Sequence, residues 1–330
     1  MILNKYTGLD VHKENFHATV MGDDGEILRR QRFPNSLEEV KSFFSDIGDG
    51  KVALEASYFW EPVYDELEEM GFDVKLAHPG KTRVIADEKI KTDLRASEAL
   101  AQLLRMGWLP EAYVPPVDIR ELRELLRRRV SLVESRTKYK NKIQAELTKR
   151  RIELDGTPWY GPWTSQLEEL EIDPVEDYMV IIRSLNDRID KVEKQIKERA
   201  EETEEAMLIE SITGFSYFSA MTVYASIVDI GRFPRPKELS SYFGVVPSTE
   251  QSGGKKKHGP ITKEGDSYVR RVLIQCAWSH INNSDSYITE FFDRLKRRKG
   301  KPVAIVAAAR KLTVAIYWML EREEKFRPGG

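Results

Sequence analysis

The sequence predicts an α/β N-terminal part, two long charged helices, and a mostly α-helical C-terminal part. Three observations predict it. Short apolar runs alternate with helix signals up to about residue 107. Between about 119 and 206 the pattern turns charged, with apolar residues at heptad spacing. Beyond 207, short helical segments are separated by turns rich in Gly and Pro. A chain of 330 residues suits two or three domains. Its 41% hydrophobic and 32% charged residues are those of a globular chain that can bury real cores.

Residues 2–11 and 16–21 read as strands, and Asp23-Asp24-Gly25 is a hairpin turn signal before a third strand at 26–33. Pro34-Asn35-Ser36 then breaks the chain. Ser36 is placed to cap a helix reaching about Ile47, and Glu39, three residues on, completes a capping box. A strand follows at 51–56, a helix at 60–70 closed by Gly71, and a strand at 72–77. Pro79 opens a short helix, and Asp93 opens a last one through Leu94, Leu100, Leu103 and Leu104 to Gly107. The order β-β-β-α-β-α-β-α is an antiparallel meander followed by parallel crossovers, which is the order of an RNase H-like (RuvC-like) fold.

Tyr178, Ile182, Leu185, Ile189, Val192 and Ile196 form an a/d seam. Leu122, Leu126, Val133, Ile143 and Leu147 give a ragged partner seam. The stretch 155–163, with two prolines and two glycines, cannot continue a helix and turns the chain back. A helical coiled-coil arm is therefore predicted, one whose spare seam pairs with a second chain. The expected divisions are 1–112, 113–206 for the arm, and 207–330. In the last of these, Ile212-Thr-Gly-Phe-Ser216 is similar to a helix-hairpin-helix turn, and residues 244–260 read as a loop rich in Gly, Pro, Ser and Lys.

The net charge of −2 hides local asymmetry. Residues 120–151 carry twelve basic and four acidic residues, residues 164–205 carry six and fourteen, and residues 294–311 carry eight basic residues and no acidic one. Basic zones interleaved with aromatics point to a polyanion, foremost nucleic acid. No apolar run reaches the roughly 18 residues of a membrane span, and the first ten residues lack the apolar core of a signal peptide. A single cysteine, Cys276, excludes an intramolecular disulfide framework and a Cys-based zinc cluster. The chain is expected to be cytoplasmic, with no membrane partner.

Asp10 lies in the first strand, Glu55 at the end of a later one, and Asp93 in the first turn of the helix after the last strand. Carboxylates in apolar strands are costly unless paired or bound to a cation. In this strand order the three converge at one end of the sheet, a donor set suited to Mg²⁺ or Mn²⁺. His12, His17, His78 and His280 lack metal-ligand spacing and read as structural, and His258 is a weak candidate base. Gly8, Gly25 and Gly253-Gly254 form no nucleotide-binding phosphate loop. Trp159 and Trp163 read as packing for the arm's turn.

The stretches Tyr6-Thr-Gly-Leu-Asp10-Val-His-Lys13, Leu54-Glu-Ala-Ser57 and Lys91-Thr-Asp93 resemble the DEDD-type insertion-sequence transposases. This is the family of RuvC-like recombinases that includes pilin-gene invertases and bridge-RNA-guided transposases. In the C-terminal half the residues 233–248, Ser252-Gly-Gly-Lys255 and 261–271 look like the family's second signature. The resemblance implies a recombinase that cuts and rejoins the DNA of a mobile element. It implies Mg²⁺ (or Mn²⁺) held by Asp10, Glu55 and Asp93, and a serine nucleophile: Ser252, with Ser248 in reserve. It further implies a structured guide RNA, element-end and target DNA as partners, a homodimer or homotetramer, and a carboxylate site of one chain meeting the serine domain of another. Lys255, Lys256, Lys257, Arg270 and Arg271 are the expected phosphate-binding residues. One departure stands out. The family pattern places an Asp three residues after Asp93, where this chain has Ala96. Glu98 cannot replace it, being about 140° round the helix from Asp93. Two other readings stay open: a structure-specific nuclease using only the carboxylates, and a non-catalytic nucleic-acid-binding scaffold.

Overall fold

A computed structural model describes residues 4–85, 93–252 and 255–329; the side chains of 83–85, 93–94, 249–252 and 255–258 lie outside that description. The chain divides into two compact units, Met1–Val114 and Pro115–Gly330.

The first unit is built on strands β1 (Lys5–Val11), β2 (Asn15–Met21), β3 (Ile27–Pro34), β4 (Gly50–Glu55) and β5 (Asp73–Ala77), in the sheet order β3-β2-β1-β4-β5. The β1–β2 and β2–β3 pairs are antiparallel, whereas β4 runs parallel to β1 and β5 parallel to β4. The predicted meander and crossovers are therefore present. Gly25, at φ +87°, takes the left-handed position of the β2–β3 turn. One face is covered by α1 (Leu37–Phe44) and α2 (Trp60–Glu69), with Phe16, Phe33, Phe43, Phe44 and Leu54 in its core. The short α3 (Pro79–Ile85) follows β5. Ser36 caps α1 by accepting from the Glu39 amide at 3.3 Å, but its own amide donates to the Pro34 carbonyl, so the reciprocal half of the capping box is replaced by a tight turn.

The opposite face carries α4 (Asp93–Arg105). Its approach depends on Gly8. A Cβ at that position would overlap the Ser97 carbonyl oxygen and stand 2.5 Å from the Ala101 nitrogen and 2.9 Å from Leu100 Cβ. The buried Thr19 and Ser97 hydroxyls share a hydrogen bond of 2.8 Å at the same contact.

In the second unit α5 (Val117–Arg150) and α7 (Asp173–Glu201) pack along each other in opposite directions. At one end Leu122 and Leu126 share a core with Val192 and Ile196; at the other Ile143 and Leu147 meet Val175, Met179 and Ile182. The seam expected to await a second chain is thus buried within this one, because the turn at 151–172 lets the two helices cover each other. In that turn Trp159 and Trp163 pack 4.7 Å apart beside the short α6 (Trp163–Glu168), the packing role expected of them.

The rest of the unit comprises α8 (Glu204–Glu210), α9 (Tyr217–Ile227), α10 (Pro236–Tyr242), β6 (Pro247–Ser252), β7 (Lys255–Ile261), α11 (Ser267–Asn283), α12 (Tyr287–Lys299) and α13 (Lys301–Arg322). Helix α13 corrects the expectation about membrane-length segments. By length and by a mean hydropathy of 1.6 it could span one, and 61% of that window is buried within the chain. Ala304, Ala308, Ala309, Leu312, Thr313 and Ile316 are its fully buried residues, and it packs against α10, α11 and α12 as the unit's core helix.

Candidate active site

Parallel pairing sets the first-unit site. Leu9 is level with Leu54 across β1 and β4, so Asp10 and Glu55, one residue further on each, are level at the strands' C-terminal ends. Side chains alternate across a sheet. Leu9 and Leu54 lie in the α1–α2 core, while Ala53 packs under Leu100 and Leu104 of α4. Asp10 and Glu55 therefore share the α4 face.

Helix α4 runs against β1. Near its C-terminus Arg105 donates to the Asp23 carbonyl at 2.9 Å, beside the start of β1, whereas Ser97 lies over Gly8. Four helical residues before Ser97 span about 6 Å, and two strand residues beyond Gly8 span about 6.6 Å. The first residue of α4, Asp93, thus begins at the level of Asp10. Its side chain lies outside the described residues, as do Lys91 and Thr92. Among the described residues no group of three His, Cys, Asp or Glu side chains is close enough to hold a metal ion.

The two flanks of α4 differ. Glu98 pairs with Arg30 of β3, and Arg105 with the β2–β3 turn, so that flank faces the meander edge. Leu100 and Leu104 meet Ala53 and Ala77, so their flank faces β4 and β5. At 100° per residue, Ala96 belongs to the β4 flank, the side on which β4 ends at Glu55.

Asp10 is only 2% exposed. His12 Nε2 stands 3.2 Å from its carboxylate, and His17 is opposite it in the β1–β2 register. The two imidazoles meet edge to face at 6.0 Å. Period-2 alternation puts residues 10 and 12 on one face, and hairpin pairing adds 17, so both histidines lie beside Asp10.

The second candidate site corrects the expected loop at 244–260. Its Gly- and Lys-rich stretch is an antiparallel hairpin in which Ser252 pairs with Lys255, Gln251 with Lys256 and Glu250 with Lys257. Gly253-Gly254, between the paired ends, lies outside the described residues. Two glycines between paired strands are a hairpin signal that the loop-like composition masked. Ser252 is placed at the hairpin's tip, with its side chain, those of the three lysines and that of His258 outside the described residues. Ser248 sits near the base, half-buried and opposite Gly259, where a Cβ would be 2.5 Å from its hydroxyl oxygen. The base is pinned by Thr262 N–H donating to the Val246 carbonyl at 2.9 Å and by Arg270 donating to the Glu264 carbonyl at 3.1 Å. Arg271 pairs with Glu134 of α5 at 3.1 Å.

The helix-hairpin-helix-like turn faces inward. A Cβ at Gly214, where φ is +98°, would lie 2.6 Å from His280 N of α11. His280 Nδ1 donates to the Thr213 carbonyl at 2.7 Å, and its Nε2 accepts the Ser286 hydroxyl at 2.8 Å. Burial pushes the pKa of this imidazole down.

Comparison with known proteins covers both parts of the chain. Residues 7–150 match the IS110-type DEDD transposase family, and residues 206–293 match the family described as Transposase IS116/IS110/IS902. The chain belongs to the IS110/IS116 family of DEDD transposases. It is 26% identical over 337 residues to the transposase for insertion sequence element IS1111A of Coxiella burnetii, covering 98% of this chain and 92% of that one. It is 26% identical to the transposase for IS1533 of Leptospira borgpetersenii, with 94% of each chain covered. The transposase for IS1328 of Yersinia enterocolitica is 24% identical, with 95% of each covered. The recognised family is thus the one the motifs resembled, and DNA transposition is its function. In this transposase the strand-end carboxylates fall in the first matched segment and the Ser252 hairpin in the second.

Proposed function

We propose that this transposase cuts and rejoins DNA with two sets of its own residues: a carboxylate centre of Asp10, Glu55 and Asp93, and the nucleophile Ser252. The observation that carries this reading is the level placement of Asp10 and Glu55 on the face under α4, whose first residue is Asp93. The strand order β3-β2-β1-β4-β5 supports an RNase H-like unit. An all-oxygen donor set with one carboxylate almost fully buried fits a hard divalent cation. Mg²⁺ or Mn²⁺ held there supplies positive charge against the phosphate and the leaving oxygen. Asp10, fixed by its His12 contact, keeps its carboxylate in place for that role. Ser252 Oγ bonds to phosphorus as its proton passes to solvent, and one P–O ester bond breaks, its oxygen leaving as a hydroxyl that takes a proton from solvent. A second DNA hydroxyl then attacks the phosphoserine phosphorus, losing its proton, and the P–Oγ bond breaks to return the Ser252 hydroxyl.

The reading retains the three-part division at 1–112, 113–206 and 207–330, with a coiled-coil arm. It retains Lys255, Lys256, Lys257, Arg270 and Arg271 as phosphate-holding residues, although Arg270 and Arg271 must share themselves with Glu264 and Glu134. It also assigns a structured guide RNA and a homodimer or homotetramer to the working complex. Sequencing of RNA that co-purifies with the chain tests the first, and light scattering the second.

The deciding experiment is adduct trapping on nicked DNA with Mg²⁺, comparing the native chain, Asp10→Asn, Ser252→Ala and Ala96→Asp. A covalent adduct lost in Ser252→Ala is the expected result. Cleavage that survives in Ser252→Ala and leaves no adduct identifies a water-using nuclease instead. No cleavage by any variant leaves a binding scaffold.

A further inference from the structure

The basic zones of the second unit are used in different ways. Along α5 the cations are largely matched within the chain. Arg129 pairs with Glu193 at 2.7 Å and Arg136 donates to Asn186 at 2.9 Å. Arg127 reaches Asp266 at 4.0 Å, and Lys149 and Arg150 both close on Glu146. The eight basic residues of 294–311 behave otherwise. All are exposed, and among the described residues their one ion pair is Lys296 with Asp293, at 4.0 Å.

Four of these cations lie over aromatic rings. Arg294 of α12 and Lys311 of α13 lie 5.9 and 5.4 Å from the Phe291 ring centre. Lys301 lies 4.7 Å from Trp278, and Lys296 5.7 Å from Phe292, which itself packs edge-on against Trp278. The two helices, joined at Gly300, are packed together, and Arg294 of one and Lys311 of the other meet at the Phe291 ring. Helix-dipole complementarity accounts for Lys296, Arg297, Arg298 and Lys299 in the last turn of α12. It does not account for Lys301, which sits at the unfavourable N-terminal end of α13, or for Arg310 and Lys311 in its middle.

We infer that the α12–α13 surface formed by Arg294, Arg297, Arg298 and Lys311 grips the phosphate backbone of duplex DNA. The inference rests on DNA being the chain's substrate, and it adds a gripping surface separate from both candidate catalytic sites.

The test uses the full chain and a 40-bp random-sequence duplex. Acetylation of Lys311 is followed by mass spectrometry with and without DNA, and with an RNA hairpin of equal charge. DNA is expected to protect Lys311. In parallel, anisotropy is measured across salt for Arg294→Gln/Arg297→Gln/Arg298→Gln/Lys311→Gln. The control removes equal charge from exposed α7 positions: Arg188→Gln/Lys191→Gln/Lys194→Gln/Lys197→Gln. Four lost phosphate contacts should flatten the log–log salt slope by about 3 to 4 and weaken binding at 0.1 M salt at least about 30-fold, against less than about 3-fold for the control. DNA binding without Lys311 protection, equal losses in the two variants, or protection by the RNA hairpin alone would each overturn the inference and leave the DNA reading intact. Failure of the native chain to bind any duplex would overturn that reading too.

Discussion

Replacing Gly8 with alanine tests whether the seat of α4 governs both folding and chemistry. In an ordinary strand, Gly→Ala stabilises a protein by about 0.4–1 kcal/mol through the unfolded chain. Here the added methyl meets backbone: the Ser97 carbonyl oxygen, and the Ala101 nitrogen at 2.5 Å. Backbone cannot rotate away as a side chain can, so α4 must retreat from β1 by about 1.5 Å to restore ordinary contact distances. Retreat loosens the buried Leu100, Ala101 and Leu104 and stretches the Thr19–Ser97 hydrogen bond. Overpacking costs about 1–3 kcal/mol and the strained hydrogen bond about 1 kcal/mol more, a net loss near 3 kcal/mol. For a unit of this size that lowers the melting temperature by on the order of 10 °C. Calorimetry of the full chain should show the first unit melting early, with the second unit's transition unmoved. Because α4 begins at Asp93, recombination should fall about 100-fold even at temperatures where the variant is folded. A Gly8→Ala chain that melts at or above the native temperature would refute the argument.

The other predictions follow from single contacts. Ala96→Asp should raise recombination in cells, and Ala96→Asp/Ser252→Ala should lose that gain; equal activity in the two would break the proposed coupling. Asp10→Asn should abolish strand exchange while changing DNA affinity less than about 3-fold by anisotropy. Ile189→Glu buries a charge against α5 and forfeits about 1.5–3 kcal/mol of apolar burial. It should therefore lower the second unit's urea midpoint without altering the oligomeric state seen by light scattering. Burial holds the pKa of His280 below that of the unfolded chain. Below about pH 6.5 the unfolded state accordingly takes up the proton more readily. Stability should thus fall as pH drops from 7.5 to 5.5, and His280→Asn should flatten that dependence in urea titrations.

Much of the first unit was legible because its signals are local. Five apolar runs, a DDG turn and a Ser cap fix five strands within a few residues of where they occur, and chain order then restricts the topology. The carboxylates were legible as residues in apolar strands, but their common level needed the register Leu9 to Leu54. His12 was not legible as a neighbour of Asp10, because metal-ligand spacing was sought where strand alternation was the relevant period. Composition misled at 244–260, where Gly, Ser and Lys suggested a loop and the backbone pairs into a hairpin. Both seams of the arm could be read, but not whether they cover each other or a second chain: an apolar stripe does not state which helix covers it. Charge blocks carried the same ambiguity. The α5 block carries four acidic residues and the α12–α13 block none, but the pairing of α5 cations with the distant Glu193 and Asp266 comes only from the fold.

Position 96 shows how the frame constrains the chemistry. A neighbouring carboxylate could in principle replace a missing one, and Glu98 is the nearest in sequence. It stands about 200° round the helix from Ala96, on the flank facing β3, where it pairs with Arg30. Swinging it toward Glu55 would break that pair and rotate α4. Rotation is blocked by the Gly8 contact and by the buried Thr19–Ser97 hydrogen bond. The same close packing that levels the start of α4 with Asp10 therefore prevents the helix from turning another carboxylate into the site. An aspartate at 96 would stand on the β4 flank with no such rearrangement, since Ala96 is exposed and Leu100 already directs that flank to Ala53. The expected deficit of the Ala96 chain is accordingly in catalysis rather than in folding or DNA binding, and a single side chain should suffice to remove it.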